Sequence, residues 1–224
     1  MKLFTAEALS SKHSGGYMAD TSKVQSALIV VAHPLSNSLS HTLAERIAGS
    51  LSSKGISPQV ADIHQEQFSP AMSIEDVNHY RGYGELPSDV AAEQARIDGA
   101  DMLVVVFPVY WWSVPAVLKG WVERVFTGGW AFKTDASGRI VGNMRDIPVR
   151  LIATGAADKG SFDRHGYTQA IQTQIIEGVF GFCGLRDTQI SMFYDADKAD
   201  SRAIDRFIEE LAPMLDPDTE TTPE

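Results

Sequence analysis

Two short segments of this sequence combine ligand-binding residue types with a position next to a predicted helix start. The first, residues 33–40 (HPLSNSLS), offers hydroxyl and amide groups at Ser36, Asn37, Ser38 and Ser40. The free N–H groups and the positive end of the helix dipole favour an anion such as a phosphate there, without any lysine. Simple capping of the helix by Ser38 or Asn37 is the alternative, and the sequence leaves it open.

The second segment, residues 107–116 (FPVYWWSVPA), places three consecutive large aromatic side chains between two prolines. Tyr110, Trp111 and Trp112 follow directly on a predicted buried strand. We interpret them as a flat wall for a planar heteroaromatic ring, whose polar edge accepts hydrogen bonds from backbone N–H groups. A hydrophobic cluster or a subunit contact is the alternative, since Trp and Tyr are common in both.

Both segments follow apolar runs that are rich in β-branched residues, which is typical of strands buried on both faces. Such runs predict five strands, at residues 27–32, 59–63, 102–108, 149–153 and 188–193. Apolar residues spaced by three or four positions predict the intervening helices, at residues 39–51, 88–100, 118–125, 171–179 and 204–211. This alternation indicates an α/β fold with a parallel sheet covered by helices on both faces.

Five strands in this arrangement fit a flavodoxin-like three-layer sandwich, with a five-stranded parallel sheet in the order 2-1-3-4-5. Ligands bind to such sheets where the strand order reverses, which points to the loops after the first and third strands. These loops are the two segments described above, so the topology favours the planar-ligand interpretation. Residues 128–146 are too many for a simple connection and predict an excursion such as a hairpin.

The composition is that of an acidic globular protein, with 44% hydrophobic residues and a formal net charge of −10. The charge argues against nucleic acid or an anionic membrane as the main partner. No apolar run approaches the roughly 18 residues of a membrane span, and a single cysteine rules out an intramolecular disulfide, so we expect a cytoplasmic protein. We expect a flexible extension at residues 1–24, one domain at 25–215 and a disordered acidic tail at 216–224.

Two motifs carry a resemblance to a known family. Residues 107–132 (FPVYWWSVPAVLKGWVERVFTGGWAF) resemble the signature of NAD(P)H:quinone oxidoreductases of the DT-diaphorase type. Flavodoxin-like bacterial quinone reductases and potassium-efflux ancillary reductases share much of this signature. The likeness is nearly continuous over residues 27–212, with HPLSNSLS at the expected place and spacing.

The resemblance implies a flavoenzyme that binds FAD non-covalently, with FMN as the alternative cofactor. It also implies a ping-pong cycle in which NAD(P)H gives a hydride that passes to quinones or to related azo and nitroaromatic acceptors. A homodimer with shared active sites is a further implication. A flavin-binding regulatory subunit of a membrane transporter is the alternative function, and a one-electron carrier is a weaker one.

The resemblance assigns cofactor contacts by matching position. Those at the flavin phosphate region are His33, Asn37, Ser38, Leu39 and Ser40. Those along the isoalloxazine ring are Pro108, Val109, Tyr110, Trp111, Trp112, Thr154, Gly155 and Ala156. The family often has a second glycine where Ala156 stands, a departure that bears on how closely the backbone approaches the ring. Arg202 matches a contact to the adenine-diphosphate part of FAD, or is a solvated residue at a helix start, and Tyr194 matches another cofactor contact.

His165 is the catalytic residue that the resemblance implies, identified by its distance to residues 182–184 (FCG). Imidazole titrates near neutral pH, which suits a residue that donates a proton during catalysis. The alternative is that His165 is a surface histidine at a helix start without a catalytic role. The tyrosine that acts with this histidine in the family is absent because the loop is shorter, and Ser161, Phe162 and Tyr167 are the candidates to replace it. The remaining histidines lack metal-ligand spacing and are expected to face solvent: His13, His41, His64 and His79.

Aromatic residues near the predicted hairpin complete the implied substrate site. Trp130 and Phe132 match aromatics that, in the family, roof the site of the other subunit. Phe182 matches a substrate-pocket residue, with core packing as its alternative. The expected partners are therefore a quinone-like small molecule and a second copy of the chain, with no nucleic acid and no stable membrane insertion.

Overall fold

The computed structural model describes residues 24–216 of the chain. The predicted extension at residues 1–24, with His13, and the predicted tail at 216–224 lie outside the described residues, except for their inner ends, Val24 and Asp216.

The described residues form a five-stranded parallel sheet and a separate two-stranded hairpin. The strands of the sheet are β1 (Ser26–Val31), β2 (Ser57–Asp62), β3 (Met102–Pro108), β6 (Val149–Thr154) and β7 (Thr188–Phe193). The antiparallel hairpin consists of β4 (Phe132–Thr134) and β5 (Ile140–Gly142). The sheet order is β2-β1-β3-β6-β7, which is the predicted order 2-1-3-4-5 because β4 and β5 are not part of it. The flavodoxin-like fold and the hairpin excursion are both confirmed.

Helices cover the two faces of the sheet. They are α1 (Leu39–Ser53), α2 (Ile74–Tyr80), α3 (Ser88–Asp98), α4 (Ala116–Val125), α5 (Lys159–Arg164), α6 (Tyr167–Ile171) and α7 (Ser201–Leu211). A π-helical segment, Gln172–Gly181, continues α6, and a 3-10 turn, Ala196–Lys198, precedes α7. Among the residues that the structure describes, no helix combines the length and the apolar character needed to cross a membrane.

Alternate residues of the central strands point to opposite faces and build two separate cores. On one face, Val105 and Leu151 pack in a cluster with α4 and the π-helical segment. On the other face, Ile29 and Val104 pack with apolar residues of α1 and α7. All seven residues of β3 are buried, and each fully buried aliphatic side chain contributes roughly 1.5–3 kcal/mol. The aromatic segment therefore starts from a strand that is buried along its whole length.

Helix α2 has no counterpart in the sequence prediction. Its N-terminus is fixed by a capping box: the Ser73 hydroxyl accepts from the amide of Asp76 at 3.1 Å, and the Asp76 carboxylate accepts from the amide of Ser73 at 2.7 Å. Asp76 is buried and also accepts from Arg124 at 2.8 Å. Polar contacts hold this helix, so a search for apolar periodicity does not find it.

Candidate active site

The loops after β1 and β3 lie side by side, because these strands are paired and the chain leaves both at their carboxyl ends. The amide of Ala32 donates to the carbonyl of Val106 at 3.0 Å just before the two loops begin. The strand order reverses here, since β2 lies beyond β1 while β6 lies beyond β3. This is the position where open α/β sheets bind their ligands.

Ser38 is the N-cap of α1, so the capping alternative describes part of its role. Its hydroxyl oxygen accepts from the amide of His41 at 3.3 Å. Within the described residues, the amides of Asn37, Leu39 and Ser40 make no hydrogen bond, and neither does the exposed side chain of Asn37. Free N–H groups at the start of a 15-residue helix suit an anion.

Ser40 carries the clearest sign of a missing partner in this loop. The residue is 1% exposed, and its hydroxyl oxygen is the one buried side-chain polar atom of the described residues that has no hydrogen-bond partner. Leaving such a group unsatisfied costs roughly 1–3 kcal/mol. Together with the free amides, this hydroxyl completes a donor set that fits a phosphate.

His33 follows β1 and presents one N–H donor. Its Nδ1 lies 3.0 Å from the amide nitrogen of Leu35 and 3.3 Å from the carbonyl oxygen of the same residue, so the Leu35 backbone holds this edge of the ring. Burial has the largest effect on the pKa of this imidazole and lowers it, whereas the hydrogen bond with the Leu35 backbone raises it. The nearby His41 and His64 lower the pKa further, and the net shift is downward. His33 is therefore favoured as a neutral donor beside the free amides of α1.

His41 does not face solvent, so the sequence prediction for this residue is wrong. Its side chain is 11% exposed, and its Nε2 lies 2.7 Å from Oδ2 of Asp62, the last residue of β2. Its Nδ1 lies 2.9 Å from the hydroxyl oxygen of Ser38. The prediction failed because Asp62 is 21 residues away in the sequence and reaches His41 only through the pairing of β2 with β1.

The aromatic segment forms a tight turn with an unusual backbone. The amide of Tyr110 donates to the carbonyl of Ser113 at 3.0 Å, and the amide of Ser113 donates to the carbonyl of Tyr110 at 3.2 Å. Between them, Trp111 and Trp112 have φ angles of 50° and 64°, positive as at both central positions of a type I′ turn. This region costs about 1–2 kcal/mol per residue with a side chain. Asn and Gly are usual here, so the residue types did not reveal the turn.

The turn, the loop after β6 and Phe162 line an open cavity of ≈ 220 Å³. Its lining consists of Val109, Trp111, Trp112, Gly155, Ala156, Ala157 and Phe162. A Cβ atom at Gly155 would lie 3.2 Å from the Phe162 ring, so a larger residue at this position would require the ring to shift. The structure thus brings together five of the eight predicted ring contacts from the loops after β3 and β6, whereas Pro108, Tyr110 and Thr154 do not line the cavity.

Four of the residues that line this cavity have backbone amides without a hydrogen-bond partner in the described part of the chain: Trp111, Trp112, Ala156 and Ala157. By contrast, Val109 donates to the carbonyl of Thr154 at 2.8 Å, and Gly155 donates to the carbonyl of Phe193 at 2.9 Å. The free donors therefore come from the later residues of each loop. A flat ring with acceptor atoms along its edge fits this set.

His165, Tyr167 and Trp112 lie in series beside the cavity. The Tyr167 ring is stacked on the Trp112 ring at 3.8 Å between centroids, and the exposed His165 ring lies 5.4 Å from that of Tyr167. Of the other candidates for the family's tyrosine, Phe162 is buried and Ser161 hydrogen-bonds the carboxylate that caps α5. Tyr167 is the candidate that carries a hydroxyl and whose ring lies next to both His165 and Trp112.

Tyr194 lies next to the cavity, whereas no contact within the described residues indicates a role for Arg202. Tyr194 follows β7 and packs edge-to-face on Phe162 at 5.3 Å between ring centroids. Asp200 caps α7 by accepting from the amide of Ala203 at 2.7 Å, which places Arg202 in the first turn of that helix. Its exposed guanidinium forms no ion pair or hydrogen bond within the described residues.

Trp130, Phe132 and Phe182 do not line this cavity. Trp130 is half-buried and donates from Nε1 to the carboxylate of Asp98, 3.1 Å from Oδ2. The rings of Phe132 and Phe182 are 5.4 Å apart, and Phe182 is 47% exposed, which argues against core packing for this residue. Their assignment to the site of a second subunit stays a prediction.

Comparisons with known proteins agree with the fold and the motifs. A family model described as the flavodoxin-like fold matches residues 25–214. NAD(P)H dehydrogenase (quinone) 1 of Cavia porcellus is 30% identical over 187 residues, which cover 75% of this chain and 68% of the relative.

Two solved structures share the fold. The NAD(P)H:quinone oxidoreductase from Methanothermobacter marburgensis has a TM-score of 0.77 at 22% identity, covering 86% of this chain and 96% of that one. An FMN-dependent NADH-azoreductase from Bacillus anthracis, solved in complex with FMN, has a TM-score of 0.65 at 20% identity, covering 85% of this chain and 99% of that one. The family match and the similarity to the Cavia porcellus relative together show that this chain is an oxidoreductase of the flavodoxin-like family that includes NAD(P)H:quinone reductases.

Proposed function

We propose that this oxidoreductase is a flavin-dependent NAD(P)H:quinone oxidoreductase. The observation that carries the proposal is the presence of two donor sets at the switch point of the sheet. One set is the four free amides around the aromatic cavity, and the other is the free amides and the buried Ser40 hydroxyl at the start of α1. A flavin has the matching parts, a flat ring with a polar edge and a phosphate on a flexible chain.

FAD is the cofactor that we propose. Tyr194 packs on a residue that lines the cavity, and the Arg202 guanidinium is exposed and unpaired within the described residues, as a contact to a diphosphate requires. FMN is the alternative, and the azoreductase from Bacillus anthracis is FMN-dependent. Mass spectrometry of the flavin released from the purified protein distinguishes the two cofactors.

The bound flavin supplies the hydride chemistry. The chain binds and orients the flavin and shields the site from water. The stacked rings of Trp112 and Tyr167 form an apolar wall that keeps water away from one side of the cavity. The amides of Ala156 and Ala157 place fixed partial positive charge at its rim, which stabilises negative charge that develops there. His165 is the proposed proton donor to the acceptor, with the Tyr167 hydroxyl beside it.

The acceptor that we propose is a flat quinone-type molecule, with azo and nitroaromatic compounds as related substrates. An apolar, aromatic cavity selects for planarity more than for particular polar groups. We further propose a homodimer in which Trp130, Phe132 and Phe182 roof the site of the other subunit. The exposure of Phe182 supports this arrangement, because aromatic residues are enriched in subunit interfaces.

The function is tested by adding NADH or NADPH anaerobically to the FAD-loaded protein and following its absorbance. We expect the flavin band at about 450 nm to bleach in one two-electron step and to return when a quinone is added. Failure of both nicotinamides to bleach the band would overturn the proposal. That result would favour the regulatory subunit or the one-electron carrier.

The shared site is tested by mixing two inactive variants, His165→Gln and Phe182→Ala. If the sites are shared, each hybrid dimer has one site in which both residues are intact, and activity returns to about a quarter of the wild-type value. A mixture of His165→Gln with Trp112→Ala is the matched control, because both residues come from the same chain and no intact site forms. Recovery in neither mixture would contradict the shared site.

A further inference from the structure

A chain of three side chains connects the end of β2 to the N-cap of α1, and the proposed function does not use it. Nε2 of His41 lies 2.7 Å from Oδ2 of Asp62, and Nδ1 of His41 lies 2.9 Å from the hydroxyl oxygen of Ser38. The side chains of His41 and Asp62 are 11% and 14% exposed. Water competes little for these bonds, so the partners themselves decide where each proton lies.

Asp62 fixes the proton of the neutral imidazole. Burial raises the pKa of this carboxyl, but hydrogen bonds from His41 and from the amides of Gln65 and His64 lower it, and the net shift is downward. An ionised carboxylate only accepts hydrogen bonds, so Nε2 of neutral His41 must be protonated. Nδ1 is then an acceptor, and the hydroxyl of Ser38 donates its single proton to it.

Ser38 therefore has no proton to offer a ligand while His41 is neutral. Its oxygen also accepts from the amide of His41 at 3.3 Å. An oxygen in this state presents only lone-pair electrons to an approaching anion. It repels a phosphate oxygen that the neighbouring free amides of Leu39 and Ser40 attract.

We propose that His41 is a proton-dependent positioning residue for the flavin phosphate, an inference that rests on the proposed function. When His41 gains a proton, both ring nitrogens donate, Nε2 to Asp62 and Nδ1 to the oxygen of Ser38. The hydroxyl proton of Ser38 is released and turns towards the phosphate. The positive charge of His41 adds to the attraction, so the protonated protein binds the flavin more tightly.

Other titratable groups act on this chain from neighbouring elements. Asp62, at the end of β2, is the carboxylate in contact with His41. The ring centroid of His33, after β1, is 6.4 Å from that of His41, and His64 acts on His33 in turn. His33 cannot replace His41 in this role, because its Nδ1 is engaged by the Leu35 backbone and it does not contact Ser38 within the described residues.

The inference is tested by measuring the dissociation constant of FAD for the full-length, flavin-stripped protein by fluorescence, from about pH 5.5 to about pH 8.5, the range in which imidazoles titrate. FAD is the better probe because its pyrophosphate keeps its charge over this range, whereas the phosphate of FMN titrates at about pH 6. We expect affinity to be roughly 10-fold higher at the acidic end, as for one added charge-assisted hydrogen bond. Riboflavin, which has no phosphate, should lack this dependence.

Variants assign the dependence to His41. His41→Gln and His41→Asn keep polar groups but do not titrate, so each should bind FAD with one affinity across the range, close to the wild-type value at high pH. Asp62→Asn should move the change to lower pH, because the imidazolium loses its counter-charge. His79→Gln removes a histidine of α2, away from this chain of side chains, and should keep the wild-type dependence. Thermal unfolding of each variant verifies that it is folded.

The outcomes separate this inference from the proposed function. If both His41 variants keep the wild-type pH dependence, or if the dependence disappears in His33→Gln instead, the role of His41 is overturned while flavin binding stands. If the wild-type protein binds neither FAD nor FMN at any pH, the proposed function fails as well.

Discussion

The two ends of the candidate site are built in opposite ways. The polar end is the loop of residues 33–40 and the start of α1, and its contacts are mostly local in sequence. The aromatic end is the turn of residues 110–113, the loop after β6 and the residues around Tyr167, which come from three separate stretches of the chain. One end depends on helix capping, and the other on tertiary packing.

The two ends also carry different kinds of unfavourable energy. At the polar end, the buried hydroxyl of Ser40 has no partner in the described residues, which costs roughly 1–3 kcal/mol until a ligand binds. At the aromatic end, Trp111 and Trp112 hold a left-handed backbone, at about 1–2 kcal/mol each. The packing of Trp112 on Tyr167 opposes that cost without any ligand. We infer that the aromatic end is preformed, whereas the polar end is completed by its ligand.

The largest expected effect separates catalysis from binding at the aromatic end. His165→Gln and Tyr167→Phe should each lower quinone turnover, by roughly 100-fold or more for the histidine, the range found for general acids. The FAD dissociation constant should stay the same, because neither change removes the stacked ring of Tyr167 or a free amide. Stopped-flow kinetics and a flavin titration measure the two quantities. Tyr83→Phe, at an exposed tyrosine of the loop after α2, is the control. Wild-type turnover in both site variants would contradict the roles given to these residues.

The next effect tests whether the polar end is completed by its ligand. Ser40→Ala should raise the dissociation constant of FAD by roughly 10- to 100-fold, since a hydrogen bond to a charged group contributes roughly 1.5–3 kcal/mol. The same change should leave the free energy of unfolding of the flavin-free protein unchanged or slightly higher, because it removes a buried group without a partner. Urea unfolding with and without FAD measures both. Ser52→Ala, at an exposed serine of α1, is the control. A clear loss of stability in the flavin-free protein would mean that the hydroxyl already has a structural partner.

The difference between the ends also explains what the sequence could reveal. The strand β3 has the predicted bounds, because a continuous apolar run buried on both faces is visible in any window of the chain. The strand β7, which is mostly half-buried, has the predicted bounds as well. The polar end was predicted for a similar reason, since hydroxyl residues before an apolar stripe indicate a helix start. The resemblance to a known family then supplied residue roles at both ends.

The features that were missed all depend on partners far away in the sequence. The pair of His41 and Asp62 forms through strand pairing, and helix α2 is held by the buried ion pair of Asp76 with Arg124. The left-handed turn carries two tryptophans where a local rule expects Asn and Gly. Side-chain packing from distant elements outweighs local preference at each of these places.

The smallest effect compares the two tryptophans of the turn directly. Both have positive φ, but Trp111 is 94% exposed, whereas Trp112 is 38% exposed and stacked on Tyr167. Trp111→Asn should raise the free energy of unfolding by about 1 kcal/mol, because asparagine tolerates this backbone and little packing is lost. Trp112→Asn relieves the same backbone strain but loses the contacts with Tyr167 and Phe162. Each aromatic pair stabilises the fold by about 0.5–1.5 kcal/mol in addition to the effect of the buried area. The Trp112→Asn variant should therefore be less stable than the wild type.

Urea unfolding of the two variants, at equal protein concentration, measures this difference. Opposite signs for the neighbouring positions would show that the strain is a property of the backbone and that Trp112 is held by its stacking. If Trp111→Asn were destabilised as much as Trp112→Asn, the exposed indole would have to be packed against something in the assembled protein. A concentration dependence of its stability would then identify a second subunit as that partner, because only association makes stability depend on protein concentration.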